Sequence, residues 1–172
     1  FDTRTLKPNR TVLDIVRIGT SGSIRSDIPI DSFLMSEFAM GFDGLLHFYD
    51  SKAIQELEVS KAFVAHTAWA PSKSVPYVVK YSETLGKRLL SNRIRLGTTV
   101  TNIGFYGPQS RVLRLKLSDN DLQEKLASFE YGNVKITNLE METSGIYGLA
   151  KLLGHRAVSM NCILANRANG EF

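Results

Sequence analysis

"NVKITNLEMETSGIYGLAKLLGHRAVSMNCILAN", residues 133–166, decides the fold class. Residues 133–138 form a short β-rich run. Residues 140–154 carry apolar side chains at helical spacing and stop at Gly154, a residue suited to the left-handed position that closes a helix. Residues 157–166 are again strand-like. A strand–helix–strand unit of this length favours parallel pairing of its strands and an α/β class, with a central mixed sheet flanked by helices.

Outward from this unit the same alternation continues. "TVLDIVRIG", residues 11–19, reads as a strand buried on both faces, opening into "TSGSI", a loop of small residues, and then into a second strand in "DSFLMSEFAM". The spacing predicts a helix over residues 51–64 with Ser51 as N-cap, and a second helical region from Val78 to Leu90. "RLGTTVTNIGFYG" is strand-like and runs into "GFYGPQSRVLRL", residues 104–115. A core strand there would use Val112, Leu113 and Leu115 but has no use for Gln109 or Arg111. "DNDLQEKLASF" predicts a short helix capped by Asp119 or Asn120. No repeat or linker divides the chain, so residues 1–172 are expected to form one domain. The chain begins at Phe1 and ends at Phe172 directly after a strand-like run. Both ends read as cut, with N- and C-terminal parts of the fold expected to be missing.

Composition narrows the function classes. A chain of 172 residues can bury a real core, and its apolar and charged fractions are those of a globular protein. No apolar run approaches the roughly 20 residues of a membrane helix, and no signal peptide is visible, so no membrane partner is expected. The single cysteine, Cys162, cannot form an internal disulfide and fits a reducing, cytoplasmic compartment. The net charge of +4 is scattered, with a loose cluster only at Lys87, Arg88, Arg93 and Arg95. That cluster reads as a solvated face rather than a nucleic-acid surface. The histidines, His47, His66 and His155, have no metal-ligand spacing, so neither a metal nor an organic cofactor is expected.

Three stretches carry polar chemistry at strand ends. In "VRIGTSGSI", Arg17 precedes Gly19, Thr20, Ser21 and Gly22, so a cation, hydroxyls and open backbone N–H groups occur together. That set suits a phosphate, although an ordinary strand-to-loop turn with a surface arginine would look the same. It is neither a Walker loop nor a dinucleotide fingerprint. In "LEMETSG", Glu140 and Glu142 flank Met141 at the start of a helix. The helix dipole accounts for one carboxylate as a cap, and two acceptors beside a thioether also suit a sugar. In "FYGPQSR", Gln109 can donate and accept while Arg111 only donates, and Phe105 or Tyr106 offers a stacking face. Arg167 follows a buried strand, where α/β sites tend to lie. The competing reading makes these arginines surface charges and Gln109 a turn residue.

Taken in order, "RIGTSGSI", "FYGPQSR", "LEMET" and "NR" resemble the nucleoside phosphorylase superfamily, and within it the bacterial uridine phosphorylases, over nearly the whole chain from Val12 to Glu171. The resemblance implies a three-layer fold and reversible phosphorolysis of uridine to uracil and ribose 1-phosphate in nucleoside salvage, with inorganic phosphate as co-substrate. By matching positions, Arg17 and Thr20 would bind phosphate, and Met141 and Glu142 would hold ribose with Glu140 in support. Phe105, Gln109 and Arg111 would hold uracil, with Ser21 and Gly22 close by. Arg167 would lie beside the leaving base, making Arg111, Glu142 and Arg167 the expected catalytic set. The resemblance also implies a homodimer or a hexamer of dimers. Purine-specific relatives carry an aspartate acid where this chain reads "NRANGE". The family's N-terminal Gly-Asp-Pro-type phosphate loop and its C-terminal helix have no counterpart here. A purine nucleoside phosphorylase, a nucleosidase of the same fold, and a non-catalytic nucleoside-binding protein stand as alternatives.

Overall fold

Strand β2 (Phe33–Gly41) organises the molecule by changing partner along one edge. Its first half pairs antiparallel with β7 (Arg156–Asn166), its second half antiparallel with β3 (Tyr77–Lys80), and its other edge runs parallel to β4 (Ile94–Thr101). The computed structural model describes residues 9–172. From β4 the sheet continues in parallel to β6 (Val134–Glu140), whose N-terminal end carries the two-residue β5 (Glu130–Tyr131). On the far side β7 pairs in parallel with β1 (Asp14–Ser23). The sheet then closes on itself: Gly22 and Ser23 of β1 pair antiparallel with Leu139 and Asn138 of β6. The C-terminal ends of β1, β4, β6 and β7 therefore converge, and the polar segments of the sequence lie there.

Each face of the sheet carries its own core, which makes the three layers. Helices α1 (Leu57–Thr67) and α3 (Leu122–Ser128) pack Val59, Phe63, Leu122 and Leu126 on Phe38, Met40, Val78 and Ile136. Helices α2 (Glu83–Leu89) and α4 (Thr143–Leu152) pack Leu85, Tyr147 and Ala150 on Met35, Ala39, Val79 and Val158. Alternation along β3 sends Val78 to the first core and Tyr77 and Val79 to the second. Burial on both faces explains the apolar runs of β2 and β3, but the same expectation for residues 11–19 fails: one face of β1 is open to solvent, with Val16 and Ile18 exposed.

Several expectations change. The β6–α4–β7 unit exists, and α4 ends at Gly154 with φ of 75°, but its two strands do not pair with each other. Both pair with β1 instead, β7 parallel and β6 antiparallel, because β1 lies between them where the sheet closes. "TSGS" is not a loop: β1 runs through Ser23, held by β7 on one edge and β6 on the other. The helix expected over 51–64 begins only at Leu57, after a 3₁₀ turn at Lys52–Ile54. Ser51 caps nothing, since its hydroxyl donates to the carbonyl of Leu46. The region from Val78 to Leu90 splits into β3 and α2, as the β-branched pair Val78–Val79 favours a strand over a helix. Asp121, not Asp119 or Asn120, holds the cap position of α3, while the Asp119 carboxylate accepts from the Asp121 N–H and from Lys125. No strand forms at Val112, Leu113 and Leu115, which are 59%, 73% and 85% exposed.

Candidate active site

Arg17 leaves the middle of β1 and its guanidinium folds back over Gly19, where only a glycine leaves room. Its Nη1 donates to Asn161 Oδ1 at 2.9 Å and to Ser159 Oγ at 3.3 Å, both on β7. Its Nη2 donates to Glu142 Oε2 and stands 3.4 Å from Glu140 Oε2. Two carboxylates and a guanidinium thus meet at the N-terminus of α4.

The two glutamates divide their duties by burial. Glu140 is buried, and its Oε2 accepts from the backbone N–H groups of Glu142 and Thr143, both at 2.9 Å, and from the Thr143 hydroxyl at 2.8 Å. Its Oε1 accepts from the Thr101 hydroxyl at 2.6 Å. Glu140 therefore supplies the cap that α4 needs, from two residues before the cap position. Glu142 occupies that position without a side-chain cap bond, and its side chain is 54% exposed. A carboxylate left in the open beside Arg17 is available to a ligand. Met141, between them, is exposed.

The second cluster is built by a loop that folds onto itself. Gly107–Gln109 form a 3₁₀ turn, and Ser110 follows with φ of 59°. Arg111 returns under the turn: its Nη1 donates to the Phe105 carbonyl at 2.7 Å and to Gln109 Oε1 at 2.6 Å. Its guanidinium lies 3.8 Å from the Phe105 ring centroid, a cation–π contact. Gln109 is buried although it sits in a loop. Arg167, just past β7, donates from Nη1 to the Gln109 carbonyl and to Gln123 Oε1. Its Nη2 is buried and has no hydrogen-bond partner among the described residues. Burial, and then the neighbouring Arg111 charge, pull the Arg167 guanidinium down to about 10, and burial also lowers Arg111. Two partly desolvated cations side by side favour an anion between or against them.

The clusters join through the backbone. The Arg167 N–H donates to the Ser23 carbonyl, and the Asn102 N–H, at the root of the Phe105 loop, donates to the Glu140 carbonyl. Ser21 is buried, with its hydroxyl accepting from Asn138 Nδ2 at 2.9 Å. Gly22 pairs with Ala165 and Leu139, and a Cβ there would meet nothing closer than 3.8 Å, so its backbone is not sterically forced to be glycine. Thr20 falls in the exposed register of β1, and no side-chain hydrogen bond ties it to the Arg17 cluster among the described residues. Beyond the loop, an open and largely apolar cavity of about 800 Å³ includes Trp69, Ile103, Tyr106 and Arg111. It lacks Arg17, Glu142 and Arg167, so it adjoins the site without being it.

Several residues in these clusters have no motif in the sequence. Ser159, Asn161, Thr101 and Thr143 hold Arg17 and Glu140, and Gln123 holds Arg167. The readable signal was polar residues two apart within otherwise apolar strands, Ser159 and Asn161 in β7 and Thr99 and Thr101 in β4. Gln123, in a short amphipathic helix, offered none. No group of three or more His, Cys, Asp or Glu side chains with metal-binding geometry occurs among the described residues. Among them, no helix is long and apolar enough to cross a membrane.

This arrangement has known relatives. A profile of the phosphorylase superfamily matches residues 2–172, and the chain belongs to that superfamily. It is 26% identical over 166 residues to a uridine phosphorylase of Thermococcus kodakarensis, covering 91% of this chain and 50% of that protein. It is 29% identical over 158 residues to a DeoD-type purine nucleoside phosphorylase of Colwellia psychrerythraea, covering 91% and 54% respectively. The chain thus spans about half the length of these curated relatives. The fold matches a Trypanosoma brucei nucleoside phosphorylase, described as showing uridine phosphorylase activity, with a TM-score of 0.80 at 23% identity. That alignment covers 92% of this chain and 56% of the trypanosome protein.

Proposed function

We propose that the protein is a uridine phosphorylase, catalysing the reversible reaction of uridine with phosphate to give uracil and ribose 1-phosphate. The observation that carries this reading is the buried Nη2 of Arg167, without a partner among the described residues, beside Arg111 and Gln109. A buried cationic donor without an acceptor is costly unless a ligand supplies one. Uracil offers carbonyl oxygens to such donors, and it becomes an anion as the glycosidic bond breaks.

In this reading the electron pair of the breaking bond passes to N1 of uracil, and the anomeric carbon gains positive character. Arg111 and Arg167 stabilise the departing base, as donors aimed at a developing oxyanion do elsewhere. Gln109 reads the base edge and Phe105 stacks on its face. Arg17 holds the phosphate whose oxygen attacks the anomeric carbon, and uracil takes the proton that phosphate loses. Glu142 accepts from the ribose hydroxyls beside Met141, while Glu140 keeps the start of α4 in place. Holding phosphate and nucleoside together in this way supplies much of the rate.

The likeness to a purine nucleoside phosphorylase makes inosine the rival substrate. The deciding experiment is turnover of uridine and inosine by the full-length protein as phosphate is varied. Uridine cleavage that saturates with phosphate supports the proposal. Preference for inosine, cleavage without phosphate, or uridine binding with no products would each overturn it.

A further inference from the structure

Inside the closed sheet, six side chains are hydrogen-bonded in the same order in which their strands are paired. Arg17 Nη1 of β1 donates to Asn161 Oδ1 of β7 at 2.9 Å, and Asn161 Nδ2 reaches Ser36 Oγ of β2 at 3.3 Å. Ser36 Oγ meets Thr99 Oγ1 of β4 at 2.6 Å, and Thr99 Oγ1 meets Asn138 Oδ1 of β6 at 2.9 Å. Asn138 Nδ2 then reaches Ser21 Oγ, back on β1, at 2.9 Å. Asn161 is 2% exposed, and Ser36, Thr99 and Asn138 are fully buried.

The arginine fixes the direction of the first two bonds in this circuit. A guanidinium only donates, so Asn161 must turn its oxygen to Arg17 and its amide N–H to Ser36. Thr99 donates to Asn138 Oδ1, and Ser36, which accepts from Asn161, has its own proton free for Thr99. Asn138 is left to donate to Ser21. The Ser21 hydroxyl, already accepting, keeps its own proton for an acceptor outside the circuit. Ser21 lies two residues before the Ser23 carbonyl that binds the Arg167 N–H, so this last donor is on the strand that leads to the Arg167–Gln109–Arg111 cluster. Bonds aligned head to tail in a dry interior polarise one another, and such a chain holds its members in one arrangement.

We propose that Asn161, Ser36, Thr99 and Asn138 are positioning residues, a buried hydrogen-bond circuit that orients Arg17 for phosphate at one end and presents Ser21 as a donor to the nucleobase at the other. This rests on the functional reading above. Thr99 touches neither proposed ligand, so it is the place to break the circuit. In the full-length protein, Thr99→Val keeps the side-chain shape and removes the hydroxyl, while Thr99→Ser keeps the hydroxyl. Calorimetric titration with phosphate and, separately, with uridine reads affinity and the fraction of folded sites independently.

For Thr99→Val, the expected result is weakening of both ligands by about fivefold with binding stoichiometry unchanged, consistent with loss of one buried hydrogen bond's orienting effect. Thr99→Ser should remain within about twofold of the parent. Weakening of one ligand alone, or reduced stoichiometry at unchanged affinity, overturns the circuit and leaves the functional reading standing. A parent protein that binds neither phosphate nor uridine overturns both. Should Thr99→Val fail to fold, Ser36→Ala breaks the adjoining link with a smaller change, and the same outcomes decide.

Discussion

The guanidinium of Arg17 rests on Gly19: a Cβ at position 19 would lie 2.4 Å from Nη1 and 2.6 Å from Cζ. Side-chain atoms do not approach that closely, so any residue but glycine must displace the cation that the phosphate reading depends on. Gly19→Ala is therefore expected to raise the KM for phosphate about tenfold, roughly the value of one charge-assisted hydrogen bond. Uridine affinity without phosphate should change far less. Steady-state kinetics at varied phosphate check this, and an unchanged phosphate KM would sink the assignment of Arg17.

Glu140 and Glu142 stand two residues apart and should fail in opposite ways. Glu140→Ala strips a buried cap from α4 and leaves the Thr101 hydroxyl and the Glu142 and Thr143 N–H groups without their acceptor. Its cost should be about 2–4 kcal/mol of stability. Glu142→Ala removes an exposed group whose pair with Arg17 contributes at most about 1 kcal/mol. Turnover should nonetheless fall strongly, because the proposed acceptor for the ribose hydroxyls is gone. Melting temperature and kcat/KM on the same samples separate the two. A stable, active Glu140→Ala together with an unstable Glu142→Ala would reverse the assignment.

Acid should loosen the base of the Phe105–Asp119 segment before the core. The Lys125 ammonium beside Asp119 is the main cause holding that carboxyl below its usual value, with the Asp121 N–H adding to it. A carboxyl lowered by folding contributes stability above its unfolded value. That contribution disappears as pH falls through the lower, folded value, so the window lies below about pH 4. Asp119→Asn should lower the melting temperature slightly at pH 7 and flatten its fall below pH 4. Equal acid slopes for parent and variant would rule this pair out as the cause.

The sequence singled out the polar side chains that cluster more readily than the sheet that carries them. Arg17, Glu142, Gln109, Arg111 and Arg167 were readable because charged or amide side chains interrupt apolar runs at strand ends. The closure of β6 on β1 was not readable, since it rests on two residue pairs brought together by tertiary packing. Hydrophobic periodicity also cannot tell a four-residue buried strand from the helix that follows it, and so β3 merged with α2. Val112, Leu113 and Leu115 have a β-like pattern but lie in an exposed loop, not in a ladder. Asn138, which bonds Ser21 and Thr99, was hidden because a single asparagine in a strand carries no sign of what it faces.

Arg111 offers the sharpest test of the pyrimidine reading. Its guanidinium is stacked on Phe105 and bonded to Gln109, and burial lowers its proton affinity, so its charge acts in a partly dry setting. An interaction of that kind with a base becoming an anion is stronger in the transition state than with bound uridine, so losing it should depress kcat and not only affinity. Arg111→Ala should reduce kcat/KM for uridine by about a hundredfold, the usual cost of one such donor. Arg111→Lys keeps the charge but cannot reproduce the planar stack and the paired donors, and should recover only a small part of the loss. The same variants assayed with inosine separate base recognition from a general collapse of the loop. If uridine turnover survives Arg111→Ala, or if both nucleosides fall in parallel, Arg111 organises the loop and does not read a pyrimidine.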